Sequence, residues 1–166
     1  MRSPTSLSII IGAILLLSGG PASASPTASD ACSLLTQTQV SGALGVSVNA
    51  GVHPAGDPAI TQLECQWLQS AQGASNSKRV TVDIFGAVEN RSPADRFENA
   101  RKPVRAVTKT PVSGVGDEAF YSESRVNTIL YVKKGSFVFQ IIVGGYPPDQ
   151  VKTLEKTLAQ AVVSKQ

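Results

Sequence analysis

The chain has few of the residues from which metal and redox sites are built. Its 166 residues contain one histidine, His53, and two cysteines, Cys32 and Cys65. A zinc site normally takes three or four ligands from cysteine, histidine and carboxylates. The two cysteines also lack the Cys-X-X-Cys spacing of a redox-active pair. We therefore expect no metal, no cofactor and no thiol chemistry.

Motifs of catalysis are missing as well. The sequence has no Gly-X-Ser-X-Gly nucleophile elbow, and His53 lies in a Gly- and Pro-rich stretch typical of an exposed loop rather than a general base. Asp117 and Glu118 are adjacent, so a strand would point them to opposite faces instead of pairing them as acid and base. A strand pattern, and not a phosphate-holding helix, follows Gly114 and Gly116. We expect that the protein is not an enzyme.

The chain has only a small excess of basic over acidic residues. The chain has 15 Lys and Arg residues against 12 Asp and Glu residues, a net charge of +3. The basic pairs Arg101-Lys102 and Lys133-Lys134 are not interleaved with aromatic residues, as they would be on a nucleic-acid surface. We expect no nucleic-acid partner.

The long apolar run of the chain is at its beginning. Arg2 precedes the apolar residues 7–17, and the small residues 22–24 follow, an order typical of a cleavable signal peptide. The run has about half of the roughly 20 apolar residues that span a bilayer. Cys32 follows Ser-Asp-Ala and lacks the Leu and small residues of a lipidation signal. We expect export to the periplasm or the exterior without a permanent membrane anchor.

These boundaries predict the domain organisation. We expect a signal peptide at 1–24 with cleavage before Ser25, a flexible lead-in at 25–31, and a single domain at 32–166. The remaining cysteines, Cys32 and Cys65, are expected to form a structural disulfide, because the mature chain would reside in an oxidising compartment. We also expect a monomer.

Local signals predict three helices. Thr36 and Gln39 form a capping-box pattern before a helix that Gly45 is suited to end. A second helix should begin at Ser92-Pro93 and end near Lys102, before a proline. Pro148-Asp149 opens a third, amphipathic helix.

Strand patterns predict an antiparallel sheet of five to six strands. Two strands are expected at 62–68 and 79–85 with a hairpin loop at 72–78, and an ambiguous, proline-broken segment spans 104–115. A three-strand meander should follow at 118–122, 128–133 and 136–143. The last strand is apolar at both odd and even positions, so both of its faces must be covered. The sequence therefore predicts an α+β fold with helices on both faces of the sheet.

Four segments together resemble a family of exported bacterial proteins. The segments are Cys32-Ser33-Leu34-Leu35-Thr36, Ala43-Leu44-Gly45-Val46, Cys65-Gln66-Trp67 and Gly114-Val115-Gly116-Asp117-Glu118-Ala119-Phe120. Their order is similar to that in small actinobacterial lipoproteins of unknown function, related to LpqN-type proteins and to extracellular sensor domains with a PsbP-like fold. The resemblance implies a PsbP-like α/β/α sandwich and brings no enzymatic residues. This chain departs from the lipoproteins because it lacks their lipidation cysteine.

The helices predict where a ligand could bind. The last helix can cover one sheet face. The short second helix offers only one large side chain, Phe97, between the small Ala94 and Ala100, and should cover the other face incompletely. We expect an apolar patch there, rimmed by Tyr121, Arg125 or Tyr131; the alternative is that the 104–115 loop fills it. Three functions stay open, in this order: a binding module for a protein or cell-envelope ligand, a carrier of a small apolar molecule, and a hydrolase with an unrecognised site.

Overall fold

The computed structural model describes residues 30–70, 77–86 and 91–166. A 3-10 helix at Ala31–Ser33 is followed by four α-helices: α1 (Gln37–Leu44), α2 (Pro58–Thr61), α3 (Pro93–Arg101) and α4 (Pro148–Val163). The predicted signal peptide, its cleavage site, residues 25–29 of the predicted lead-in and residues 72–76 of the predicted hairpin loop lie outside the described residues. No helix of the described ranges is long and apolar enough to span a bilayer.

Six strands form one antiparallel sheet. In chain order they are β1 (Glu64–Leu68), β2 (Arg79–Ile84), β3 (Thr108–Val112), β4 (Glu118–Glu123), β5 (Thr128–Lys134) and β6 (Phe137–Gly144). Their order in the sheet is β1-β2-β6-β5-β4-β3, so the last strand of the chain joins the first hairpin to the meander of the other strands. The predicted α+β class and antiparallel sheet are confirmed.

The helix ends are set by the residues that predict them. Thr36 accepts a hydrogen bond from the amide of Gln39, whose side chain accepts one from the amide of Thr36. Gly45 ends α1 with a left-handed φ of 67°, which glycine adopts without steric cost. Ser92 and Asp95 form a second capping box at the start of α3. These bonds satisfy amides that a helix start leaves unpaired.

The two sheet faces carry separate apolar clusters. Strand side chains alternate between faces, and Tyr121, Leu130 and Ile141 share the face that packs against α4, which we call the α4 face. Phe120 and Tyr131 point the opposite way and pack with Phe97 of α3; we call this the α3 face. The larger cluster, on the α4 face, also includes α1 and the 3-10 helix.

A disulfide connects the beginning of the described chain to the sheet. Cys32 of the 3-10 helix and Cys65 of β1 are bonded, with a Cα–Cα distance of 5.0 Å, as the sequence predicts. Ala31 is fully buried and its amide donates to the carbonyl of Gln62 at 2.9 Å. Ala31, which we expected in the flexible lead-in, is therefore part of the packed domain.

Two local features differ from the expected pattern. Residues 58–61 form the short helix α2, which Asp57 caps through the amide of Ala59 at 2.9 Å; no helix was expected here. The ambiguous 104–115 segment contains β3, with Pro111 in its interior. Because β3 is an edge strand, a proline can be accommodated there.

Candidate ligand-binding site

Helix α3 covers one end of its sheet face. Phe97 is the buried side chain of this helix, and its ring lies 5.2 Å from that of Phe120 in an edge-to-face contact. Further along the same face, Thr81, Ile129 and Ile142 are only partly buried. Part of the α3 face is therefore open to solvent.

An aromatic stack borders this open part. The rings of Phe120 and Tyr131 are 4.9 Å apart and nearly parallel. The ammonium group of Lys109 lies 5.6 Å and 5.9 Å from their centroids and donates a hydrogen bond to the hydroxyl of Ser122 at 2.7 Å. Burial lowers the pKa of Lys109, because desolvation disfavours its charged form.

A cleft of about 480 Å³ opens on the uncovered part of the α3 face. Its floor consists of alternate residues of β1, β2 and β6, and its sides are the β4–β5 turn and residues 143–148. Four acidic and basic side chains line it: Glu64, Asp83, Arg79 and Arg125. We call it the charged cleft.

Two carboxylates lie at one end of the charged cleft. Glu64 and Asp83 are cross-strand partners on β1 and β2. Asp83 accepts a hydrogen bond from Nε2 of Gln140 at 2.5 Å, and Glu64 accepts one from Nε2 of Gln66 at 2.6 Å. Burial raises the pKa of Asp83, and the charge of Glu64 raises it further, while the bond from Gln140 opposes both effects. Each acid is thus oriented by a neighbouring amide side chain.

Arg79 lies at the other end, stretched across a glycine. A Cβ built on Gly144 would stand 3.0 Å from both Cζ and Nε of Arg79. The two residues are cross-strand partners on β2 and β6. The missing side chain of Gly144 therefore gives Arg79 the space in which its guanidinium lies.

The β4–β5 turn presents Arg125 beside this cleft. The hydroxyl of Ser124 donates to the side-chain oxygen of Asn127 at 2.8 Å and accepts from the amides of Val126 and Asn127 at 3.3 Å and 3.2 Å. The backbone of Ser124 also bonds to that of Asn127. The turn is thus internally bonded, while Val126 at its tip is 91% exposed.

A second cleft of about 400 Å³ lies between the end of α3 and β3–β4. Pro111, Val112 and Phe120 supply apolar lining. Arg101 at its rim pairs with Glu118 at 2.6 Å, and Glu118 also pairs with Lys133 at 2.8 Å. We call it the aromatic cleft; the cationic group of Arg101 is neutralised there.

The Lys109–Ser122 contact resembles a nucleophile with its base but lacks other parts of a hydrolytic site. Acyl transfer needs hydrogen-bond donors aimed at a developing oxyanion. Ser122 lies within β4, paired with Lys109 of β3 on one side and Ile129 of β5 on the other. The backbone amides of such an interior strand are used by the sheet, so they offer no oxyanion hole.

Asp30, Cys32 and His53 come together without forming a good metal site. Their ligand atoms lie within 4.8 Å of one another, but the sulfur of Cys32 is in the disulfide. Nδ1 of His53 lies 2.8 Å from the carbonyl oxygen of Glu64 and must carry the proton, since a carbonyl only accepts. Nε2 faces Asp30 at 3.4 Å. These contacts connect the loop that contains His53 to β1 and to the start of the described chain.

The four residues predicted to form a binding surface are not all together. Phe97 and Tyr131 share one cluster on the α3 face through Phe120. Arg125 lies apart from them, at the charged cleft. Tyr121 is on the α4 face, 7% exposed, and its hydroxyl donates to the carbonyl of Lys152 at 2.6 Å. Its placement corrects our expectation, because strand alternation puts Phe120, and not Tyr121, on the α3 face.

Arg79, Asp83 and Gly144 were not among the residues predicted to bind a ligand. The alternation of β2 does predict that Arg79 and Asp83 point to its polar face. What it does not predict is the pairing of β2 with β6, which places Gly144 opposite Arg79 and Gln140 opposite Asp83. The site is therefore a product of a long-range strand pairing.

Comparison of the chain with protein-family models, curated proteins and solved structures returned no match.

Proposed function

We propose that this protein is an exported, non-catalytic binding module whose ligand site is the charged cleft. Its ligand is a protein segment or a component of the cell envelope. The observation that carries the proposal is that a cleft of about 480 Å³ lies on the part of the sheet face that α3 leaves open. Small-ligand sites typically occupy about 300–1,000 Å³.

Export is supported by the disulfide between Cys32 and Cys65, since such bonds persist in oxidising compartments. The signal-peptide pattern of residues 1–24 supports the same proposal. We further propose a monomer without a permanent membrane anchor or nucleic-acid partner, with the PsbP-like lineage that the sequence resemblance implies.

A carrier of a small apolar molecule is the second candidate. The aromatic cleft favours it, because Pro111, Val112 and Phe120 offer an apolar wall beside the end of α3. An amphiphile could place its tail there and its head near Lys109. The hydrolase alternative has less support, since Ser122 lacks the oxyanion donors described above.

A blocking substitution tests the charged cleft as the ligand site. Thr81 on its floor is partly buried, and Thr81→Trp should fill the cleft while keeping a residue suited to a strand. Thr38→Trp, at an exposed position of α1, introduces the same side chain elsewhere. A thermal-shift screen of envelope-derived glycans, lipids and peptides should yield ligands that stabilise the wild type and Thr38→Trp but not Thr81→Trp.

Two results would contradict the proposal. One is a screen in which no compound distinguishes Thr81→Trp from the two open proteins. The other is turnover of ester or peptide substrates by the purified wild type that Ser122→Ala abolishes, which would establish an enzyme instead.

A further inference from the structure

We propose that the arginine end of the charged cleft binds an oxyanion, a carboxylate or phosphate group carried by the ligand. This inference rests on the proposed function and names the chemistry that the site recognises. It follows from how Arg79 and Arg125 are held and from what surrounds them.

Arg79 is positioned without an acidic partner. Its guanidinium lies across the backbone of Gly144, where a Cβ would approach Cζ to 3.0 Å. No acid of residues 30–70, 77–86 or 91–166 forms an ion pair with it. A guanidinium offers five donors in a planar fork that matches carboxylate and phosphate. Its donors are thus available to a ligand in the cleft.

Arg125 supplies a second cation to the same cleft. It occupies the β4–β5 turn, which the hydroxyl of Ser124 braces through the amides of Val126 and Asn127. Within the part of the chain that the structure describes, no carboxylate pairs with Arg125 either. A braced turn lowers the entropy cost of bringing this side chain to an anion.

Cations at the other end of the sheet, unlike Arg79, have acidic partners. Lys133 pairs with Glu118 at 2.8 Å, and Lys134 pairs with Asp117 at 2.9 Å. Each of these strand residues has a carboxylate at hydrogen-bond distance. Arg79 is also a strand residue, and the contrast indicates that its charge serves an external anion.

The acids of the cleft do not pair with the arginine end. Asp83 lies four residues from Arg79 on the same strand, and a strand rises about 3.3 Å per residue, so their Cα atoms are about 13 Å apart. Within the described residues, neither Asp83 nor Glu64 forms an ion pair with Arg79 or Arg125. Asp83 and Glu64 therefore remain available to a different, donor-bearing part of the ligand.

Titration with inorganic phosphate and with succinate tests the inference. Two-dimensional NMR at constant ionic strength would follow the Nε–Hε groups of the arginines and the amides of Gly144 and Gly145. We expect saturable shifts at these groups with at least one of the two anions. A phosphate preference would indicate a phosphorylated ligand, and a succinate preference a carboxylate ligand.

Substitutions assign the binding to the two arginines. Arg79→Gln and Arg125→Gln should each weaken the affinity about tenfold, the loss expected for one charge-assisted hydrogen bond. Gly144→Ala should weaken it comparably, because the new Cβ displaces a guanidinium that is still present. Arg105→Gln, at an exposed position outside the cleft, is the matched control and should leave the affinity unchanged. Because Arg125 is an exposed turn residue, Arg125→Gln should fold normally. Its effect on anion affinity therefore still tests the inference if the other variants fold poorly.

The inference is overturned if both anions give only linear shifts, or if Arg105→Gln weakens binding as much as Arg79→Gln, since either result indicates general screening. The proposed function is judged separately. Neutral ligands that Thr81→Trp blocks but Arg79→Gln binds normally would leave the binding module standing and remove the oxyanion from it.

Discussion

One carboxylate oxygen of Glu155 accepts a hydrogen bond from the amide of Val143 at 3.2 Å, while its other oxygen is buried without a partner. Val143 lies beyond the last β5–β6 pair, which joins Leu130 and Ile141. Glu155 of α4 therefore satisfies a strand amide that β5 does not reach. Burial raises the pKa of Glu155 to about 8, although the bond from Val143 opposes the shift.

This carboxyl should make stability decrease toward alkaline pH. The folded-state pKa of about 8 exceeds the ordinary value of 4.5, so the folded protein binds the proton more tightly than the unfolded chain. The contribution is fully present below about pH 4.5 and is lost as the pH rises through 8. We expect the unfolding free energy in urea to fall by about 2 kcal/mol between about pH 6 and pH 9.

Glu155→Gln should abolish most of that slope, because an amide does not ionise. Glu98→Gln, which changes an exposed acid of α3, should preserve it. An unchanged slope in Glu155→Gln would assign the pH dependence to other groups.

Removal of the disulfide should lower stability without affecting ligand binding. The bond closes a separation of 33 residues, and loss of a native bridge in a small secreted domain costs about 2–5 kcal/mol. Urea unfolding of the Cys32→Ser, Cys65→Ser double variant measures the loss. Titration of the denatured, unreduced wild type should find no free thiol, and two reactive sulfurs would refute the bond.

Phe97→Ala should lower the unfolding free energy by about 3–5 kcal/mol, the cost of truncating a core aromatic. Phe97 is fully buried and contacts Phe120. Phe97→Leu, which keeps most of the apolar volume, should cost less. Binding of an apolar fluorescent dye should be followed in the same variants. A small loss of stability together with lost dye binding would place Phe97 in a ligand groove instead of the core.

Two glycines should respond oppositely to alanine. Gly116 has a φ of 60°, and a Cβ there would lie 2.5 Å from the carbonyl oxygen of Lys133, so Gly116→Ala should destabilise by about 2 kcal/mol or more. Gly42 lies within α1 with no atom within 4 Å of its Cβ position. Gly42→Ala should stabilise by about 0.5–1 kcal/mol. Thermal unfolding of both variants checks the pair, and equal effects would contradict the assigned geometry.

The exported protein should begin at Ser25. The small residues 22–24 satisfy the pattern that signal peptidases recognise. Intact mass of the secreted or periplasmic protein measures the cleavage. A retained amino terminus, or an added diacylglyceryl group on a chain beginning at Cys32, would contradict this processing.

Features determined by neighbouring residues could be predicted from the sequence. The capping box of Thr36 and Gln39 and the terminating Gly45 are complete within one short segment, so the limits of α1 follow from them. β3 was ambiguous because Pro111 disfavours a strand in general but is tolerated at an edge. Whether a strand is at an edge depends on the whole sheet.

The charged cleft depends on contacts between distant parts of the chain. Arg79 and Gly144 become neighbours only through the β2–β6 pairing. Hydrophobic alternation reports which face a side chain points to but not which strand lies beside it. The sequence therefore indicated Arg125 without its companions at the site.

The position of β6 also constrains how the chain folds. This strand lies in the middle of the sheet between β2 and β5, yet it is the last of the six described strands in chain order. β6 pairs with β2 on one side and with β5 on the other. The β1–β2 hairpin therefore cannot join the β3–β5 meander until β6 is in place, and the chain between the hairpin and the meander must be closed in one late step. Such non-local pairing slows folding, so completion of the sheet should be the slow step in forming this domain.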